Sequence, residues 1–120
     1  MKLLKSTPER DWYLVKEFTT LAGLKARIQQ CRWKRTNLLH DHYTGYVQVP
    51  DGDTTNYYDD QDGVDVHGGV TFYDSIEGEE GKWVGFDLAH YGDENLVMPL
   101  TYAEDECEKL AAQLTENGKD

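Results

Sequence analysis

Hydrophobic and polar residues alternate along four short stretches of this chain, and alternation with a period of two is typical of half-buried β-strands. The stretches are residues 11–19, 45–50, 64–73 and 82–89. The run 45–50 ends at Pro50, as a strand should, because proline cannot donate a ladder hydrogen bond. The Gly68-Gly69 pair predicts a bulge or a close backbone approach within the third strand.

A helical period occurs at two places, the first directly after the first strand. Thr19 or Thr20 is a suitable N-cap for a short helix that ends near Gln30. The buried stripe of this helix would be formed by Leu21, Leu24 and Ile28.

The second helical pattern lies near the C-terminus. Thr101 and Glu104 have the spacing of a capping box, which predicts a helix start at Thr101. Its apolar seam is Ala103, Cys107, Leu110 and Leu114, and Asn117-Gly118 should end it. The spacing makes Cys107 a small core residue.

These elements predict one α+β domain over residues 1–120, with residues 1–9 as a loose lead-in. Its architecture should be a small antiparallel β-sheet with a short helix after the first strand and a C-terminal amphipathic helix.

The charge of the chain is strongly uneven. Net charge is −11, yet residues 1–36 hold nine Lys/Arg against three Asp/Glu. The acidic remainder should repel nucleic acid and attract basic protein surfaces, although a solvated acidic surface is the simpler alternative. With no apolar run of membrane-spanning length and no secretory leader, we expect a cytoplasmic protein without membrane contact, whose two cysteines are reduced thiols.

The four histidines each lie near an aspartate, which makes a zinc-type ligand set available. A tetrahedral site would take His42, His67, His90 and one carboxylate, Asp87 or Asp65. The prediction depends on strands 64–73 and 82–89 pairing as neighbours. The alternative is that these are ordinary histidines hydrogen-bonded to their aspartates.

Four segments together resemble a family of small phage and bacterial proteins: GYV-VP at 45–50, YDD at 58–60, DVHGGVTF at 65–72 and VGFDLAH-GD at 84–93. The likeness covers roughly residues 18–114. His42, His67 and His90 occupy the histidine positions of the family pattern. The chain departs from the pattern at residues 51–56, where a histidine and proline are usual, and at Leu88, where a cysteine is usual.

The chain also resembles phage anti-CRISPR metalloproteins that inhibit the type II effector Cas9. The resemblance implies a non-enzymatic inhibitor that binds a basic surface of Cas9, interferes with guide and DNA engagement, and uses Zn²⁺ to tie its loops together. The partner-binding residues would be Asp51, Asp53, Tyr57, Tyr58, Asp59, Asp60, Glu79 and Glu80. The alternatives are a small metal-dependent hydrolase and a metal-free acidic interaction domain.

Overall fold

The computed structural model describes residues 1–34, 41–57, 63–89 and 98–117. Within these residues the chain forms six strands and one helix. They are β1 (Lys2–Ser6), β2 (Arg10–Thr19), β3 (Lys25–Trp33), β4 (His42–Gln48), β5 (Phe72–Asp74), β6 (Trp83–Asp87) and α1 (Leu100–Asn117).

The six strands form one antiparallel sheet in the order β1-β2-β3-β4-β6-β5. The first four strands therefore follow one another as a meander, and β6 joins it by pairing with β4. The predicted α+β class with an antiparallel sheet and a C-terminal helix is confirmed.

Helix α1 packs against the centre of the sheet, on β3 and β4. All four residues of its predicted apolar seam are fully buried, together with Ala111. They meet a row of apolar side chains from the central strands, namely Ala26, Ile28, Val47, Val84 and Phe86. Burial of this apolar area supplies the main stabilising term of the fold.

Residues that pair directly across antiparallel strands point to the same face, so the register divides the sheet into two faces. The near face, which meets α1, carries the row Ile28, Gly45 and Phe86. The opposite side, here called the far face, carries one row from Trp12 through Cys31 to His42 and another from Arg27 to Tyr46.

Gly45 allows the closest packing on the near face. A Cβ atom at this position would stand 2.3 Å from Cζ of Phe86 and 3.0 Å from Sγ of Cys107. Glycine here leaves room for the buried Phe86 ring against β4.

The helix predicted over residues 20–30 is wrong, because this stretch forms a tight turn followed by β3. The Thr20 backbone N–H donates to Leu24 O across the turn at 2.8 Å. The Thr20 hydroxyl also donates to Leu24 O and accepts from the Leu24 N–H. Leu21, assigned to the buried stripe, is 96% exposed in the turn. The helical spacing of Leu21, Leu24 and Ile28 is therefore a coincidence, because Leu21 lies in a turn and Ile28 in a strand.

Two strand boundaries also differ from the prediction. Residues 1–9, expected to be a loose lead-in, contain β1, an exposed edge strand that pairs with β2. The strand expected over residues 64–73 is reduced to β5, because Gly68 and Gly69 adopt positive φ in a turn instead of a bulge. The helix start also differs from the prediction by one residue, since α1 begins at Leu100 instead of Thr101. Glu104, the second residue of the predicted capping box, forms an ion pair with Lys16 of β2 at 3.0 Å.

Candidate functional site

His42 and Asp87 meet on the far face, at the end of the sheet where β4 begins and β6 ends. Asp87 pairs with Thr44, one step along β4 from His42 on the same face. The His42 Nε2 atom lies 3.5 Å from Asp87 Oδ1, and the two side chains are 10% and 31% exposed. Asp87 Oδ1 also accepts a hydrogen bond from the Ala89 N–H at 2.6 Å, which fixes the carboxylate.

An aromatic and a thiol neighbour enclose the imidazole. The Trp12 ring meets His42 edge to face, with centroids 6.3 Å apart, and Cys31 is the cross-strand partner of His42. Cys31 has no exposed surface, and burial raises the pKa of its thiol although the nearby Arg10 opposes the shift. A buried, protonated thiol is a poor nucleophile, so the succession of Cys31, His42 and Asp87 is not a ready catalytic triad.

His67 occupies a different place, against the helix. Its Nδ1 lies 2.8 Å from the Tyr102 hydroxyl, and its backbone N–H donates to Glu106 Oε1 at 2.8 Å. Because α1 covers the near face while His42 belongs to the far face, the two histidines stand on opposite sides of the sheet. The predicted antiparallel pairing of residues 64–73 with residues 82–89 forms only in part, from Phe72 opposite Gly85 to Asp74 opposite Trp83, and residue 67 lies outside this ladder, in a turn.

Asp65 also faces the helix. Its N–H donates to Gln113 Oε1 at 2.6 Å, its carbonyl accepts from Gln113 Nε2 at 2.7 Å, and its carboxylate lies 3.4 Å from Lys109 Nζ. These bonds fasten the segment before the turn along α1. Asp65 and His67, two residues apart in sequence, are thus both attached to the helix.

Of the predicted zinc ligands, the structure brings His42 and Asp87 together and separates His67 from them. His90 lies outside the described residues. Among the residues that the structure describes, no group of three or more His, Cys, Asp or Glu side chains could hold a metal ion. His42 and Asp87 can supply two ligands, and a third would have to come from elsewhere in the chain.

The acidic residues predicted to bind a partner lie in two segments that the sheet brings to one end. Strand β4 ends where β6 begins, and the Val49 N–H donates to Lys82 O at 2.9 Å just beyond the ladder. The segment after β4 carries Asp51 and Asp53, and the segment before β6 carries Glu79 and Glu80. Of these, Asp51 and Glu80 are exposed, whereas Asp53 and Glu79 are partly buried.

Tyr57 is not an exposed aromatic anchor, so that prediction is wrong. The ring is 1% exposed and packs against Tyr73, with centroids 5.7 Å apart. Its hydroxyl donates to Asp53 Oδ2, and the Thr55 N–H donates to Asp53 Oδ1 at 2.9 Å. Partial burial would raise the pKa of Asp53, but these two hydrogen bonds outweigh it and lower the pKa. The other predicted contacts, Tyr58, Asp59 and Asp60, lie outside the described residues.

One arrangement on the far face was missed at the level of sequence. The Arg10 guanidinium lies over both Trp12 and Trp33, 5.0 Å and 4.9 Å from their ring centroids. Arg10 and Trp12 are two apart on one strand, which puts them on one face and was the available signal. That Trp33 pairs with Arg10 across β2 and β3 could be recognised only after β3 was known to be a strand.

No family model, curated protein or solved structure matches this chain. Within the described residues, no helix combines the length and the apolar character needed to cross a bilayer.

Proposed function

We propose that this protein is an acidic inhibitor that binds a basic, nucleic-acid-holding surface of another protein and performs no catalysis of its own. The observation that carries the proposal is the convergence of two acidic segments at one end of the sheet, after β4 and before β6. Carboxylates gathered on one edge attract a basic surface over a Debye length and orient the encounter.

The charge distribution supports a protein partner over a nucleic acid. With a net charge of −11, the chain repels a phosphate backbone, whereas a channel lined by Lys and Arg attracts it. The resemblance of the chain to anti-CRISPR proteins favours Cas9 as the partner, because its guide–target heteroduplex lies in a positively charged channel. Occupying this channel would interfere with engagement of guide and DNA.

The contact surface of the proposal begins with Asp51, Asp53, Glu79 and Glu80. Asp51 and Glu80 are exposed and would meet the partner first. Asp53 is held by Tyr57 and Thr55, so its carboxylate stays ionised and fixed in orientation. A fixed charge loses less side-chain entropy on binding than a mobile one.

Zinc belongs to the proposal as a structural ion. His42 and Asp87 supply two ligands on the far face, and His90 is proposed as a third. Such an ion would tie the beginning of β4 to the end of β6 and to the segment that follows it. A fourth ligand from the chain would close the site, and the ion would then cross-link the chain without leaving a position for substrate.

The test compares two matched double variants in binding and cleavage assays with Cas9. Asp51→Asn with Glu80→Gln removes two exposed charges from the acidic end. The control, Asp105→Asn with Glu116→Gln, also removes one aspartate charge and one glutamate charge, but from exposed positions on α1. We expect the first pair to slow association severalfold at low salt and the second to leave it nearly unchanged, since charges at the contact govern the association rate.

Three outcomes would contradict the proposal. The parent protein could fail to bind or inhibit Cas9 at micromolar concentration. The two double variants could lose association rate equally, which would show a general charge effect without a contact surface. Sustained turnover of generic esters or phosphodiesters by the parent would indicate an enzyme instead.

A further inference from the structure

A cavity of about 460 Å³ opens on the far face of the sheet. We propose that it binds a small organic anion that has a planar ring and one carboxylate or phosphate group. The residues Asp51, Asp53, Glu79 and Glu80 do not line this cavity, so the proposal does not depend on the function proposed above.

The cavity is built by consecutive strands of the meander together with the segment that precedes β6. The polar and aromatic side chains that line it are Lys5, Arg10, Trp12, Arg27, Tyr46 and Glu77. Its volume falls within the range of pockets that enclose small ligands, about 300–1,000 Å³.

Arg27 is the main argument for a ligand. Its side chain lies in the middle of β3, is 6% exposed, and lines the cavity. Within the described part of the chain, its Nε–H has no hydrogen-bond acceptor. The residue next to it across the ladder on β2 is Glu17, which is exposed to solvent and makes no ion pair with it among the described residues.

A buried Nε–H without an acceptor, on a guanidinium that forms no ion pair within the described residues, is unfavourable in the free protein. Buried donors in native proteins are almost always paired, and a buried charge left alone costs more than a neutral group. An anion bound in the cavity would supply the missing counter-charge. Arg is also the side chain best suited to carboxylate and phosphate, because its donors match their oxygens in pairs.

The surroundings of Arg27 favour an anion with a ring. Lys5, Arg10 and Arg27 give the cavity three cationic groups against the single carboxylate of Glu77. Trp12 and Tyr46 offer aromatic surface on which a planar group can stack. The Arg10 guanidinium is held over Trp12 and Trp33, so one cationic wall is already ordered before a ligand arrives.

The overall charge limits the size of the ligand. A nucleic-acid strand would bring many phosphates against a chain of net charge −11, whereas a small molecule brings one or two charges to a locally basic pocket. The observations therefore favour a small anion over a polymer.

The experiment measures thermal unfolding and tryptophan fluorescence of the full chain with two probes. Adenosine 5′-monophosphate carries ring and phosphate, and indole-3-acetate carries ring and carboxylate. Adenosine supplies only the ring of the proposed ligand, and inorganic phosphate supplies only its anionic group. At tenfold excess over its Kd, a binding probe should raise Tm by about 5 °C. Stabilisation by one complete probe identifies its anionic group as the preferred one.

Arg27→Met is the decisive variant, with Arg32→Met as its control. Arg32 lies on the same strand but is exposed and points to the near face, where it lies over Tyr13. We expect Arg27→Met to weaken binding at least tenfold while the Tm of the free variant stays equal or rises, because a buried unpaired donor is removed. Arg32→Met should bind as the parent does.

A second pair of variants covers the case in which Arg27→Met does not fold. Lys5→Gln removes an exposed cation at the rim of the cavity, and Lys2→Gln removes one from the same strand outside it. Lys5→Gln should weaken binding severalfold and Lys2→Gln should not. The proposal is overturned when neither complete probe binds the parent at 1 mM, or when binding is the same in folded Arg27→Met or in Lys5→Gln as in the parent.

Discussion

Asp87 Oδ1 lies 3.5 Å from His42 Nε2 across two neighbouring strands, and both side chains belong to the face of the sheet turned away from α1. His67 is bonded to Tyr102 and Glu106 on the helix side. A metal ion cannot be shared between these two places. His42 and His67 therefore cannot bind the same metal ion.

The first prediction concerns zinc content. If His42 and Asp87 hold zinc, Asp87→Asn should reduce the zinc affinity at least tenfold, because it removes an anionic ligand yet keeps an oxygen for the Ala89 N–H. His67→Ala is the control and should retain one equivalent. Elemental analysis of tag-free protein measures both. Absence of zinc from the parent, or its loss from His67→Ala as well, would contradict the assignment.

The second prediction concerns the near-face packing at Gly45. Gly45→Ala should destabilise the protein by about 1–3 kcal/mol, because the new methyl group would stand 2.3 Å from Phe86 Cζ in a filled core. Urea unfolding measures this loss. The double variant with Phe86→Leu should lose less free energy of unfolding than the sum of the two single losses, because the smaller side chain leaves room for the new methyl group. Full additivity would show that the clash is relieved in another way.

The third prediction concerns alkaline pH. Burial raises the pKa of the Cys107 thiol from its ordinary value of 9.0 to about 12. The unfolded chain therefore releases this proton first as pH rises. The contribution of Cys107 is fully present below about pH 9 and is lost toward pH 12, by at most about 1.4 kcal/mol per pH unit.

Urea midpoints of the parent and of Cys107→Ala at pH 7.0 and 9.5 test this statement. The variant is less stable at neutral pH because it loses a buried side chain, but its stability should fall less between the two pH values. An equal fall in both proteins would assign the alkaline loss to other groups. Thiol reagents should react with the native protein slowly, since both cysteines are buried.

The fourth prediction concerns Tyr57 and Asp53. Tyr57→Phe keeps the ring packed on Tyr73 but removes the hydroxyl that donates to Asp53, and should cost about 1 kcal/mol at pH 7. The pKa of Asp53 is lowered in the folded protein, so this stabilisation exists above the ordinary carboxyl pKa and is lost as pH falls through the lowered value. The difference between parent and variant should accordingly shrink in acid unfolding. A difference independent of pH would argue against the hydrogen bond.

The sequence predicted the elements whose two faces differ clearly. Helix α1 has an apolar seam on one side and polar residues on the other, so its helical period was recognisable. Strand β4 places Gly45 and Val47 on the near face and polar residues on the far face, and β6 was recognised as a short buried run, WVGFD, beside a glycine-containing loop. Helix α1 and strand β4 met the physical condition that pattern analysis requires, namely one apolar and one polar side.

Strand β3 was taken for a helix because it does not meet this condition. It has polar residues on both faces, with Gln30 on the near face and Arg27 and Gln29 on the far face. Its alternation is therefore weak, and Leu21 in the preceding turn completed a false helical stripe. A buried arginine in a strand is rare enough that the pattern cannot anticipate it.

Of the predicted ligands that the structure describes, only His42 and Asp87 lie close together. The proximity of His42 to Asp87 follows from pairing of β4 with β6, a long-range contact that no local pattern contains. The position of His67 depended on the Gly68-Gly69 turn, whose positive φ angles end any strand at that point. Glycine pairs of this kind are compatible with a bulge or a turn, and tertiary contacts with α1 decide between them.

The strand order has a consequence for how the chain folds. Strands β1 to β4 pair with their sequence neighbours and can form as successive hairpins, whereas β6 and α1 must find β4 across a much longer stretch of chain. Closing that long loop costs more entropy than closing a hairpin. We expect the meander to be structured in the folding transition state and the β4–β6 ladder to form after it. Folding kinetics of Ile28→Val and Val84→Ala would test this order: the first should slow folding, and the second should mainly speed unfolding.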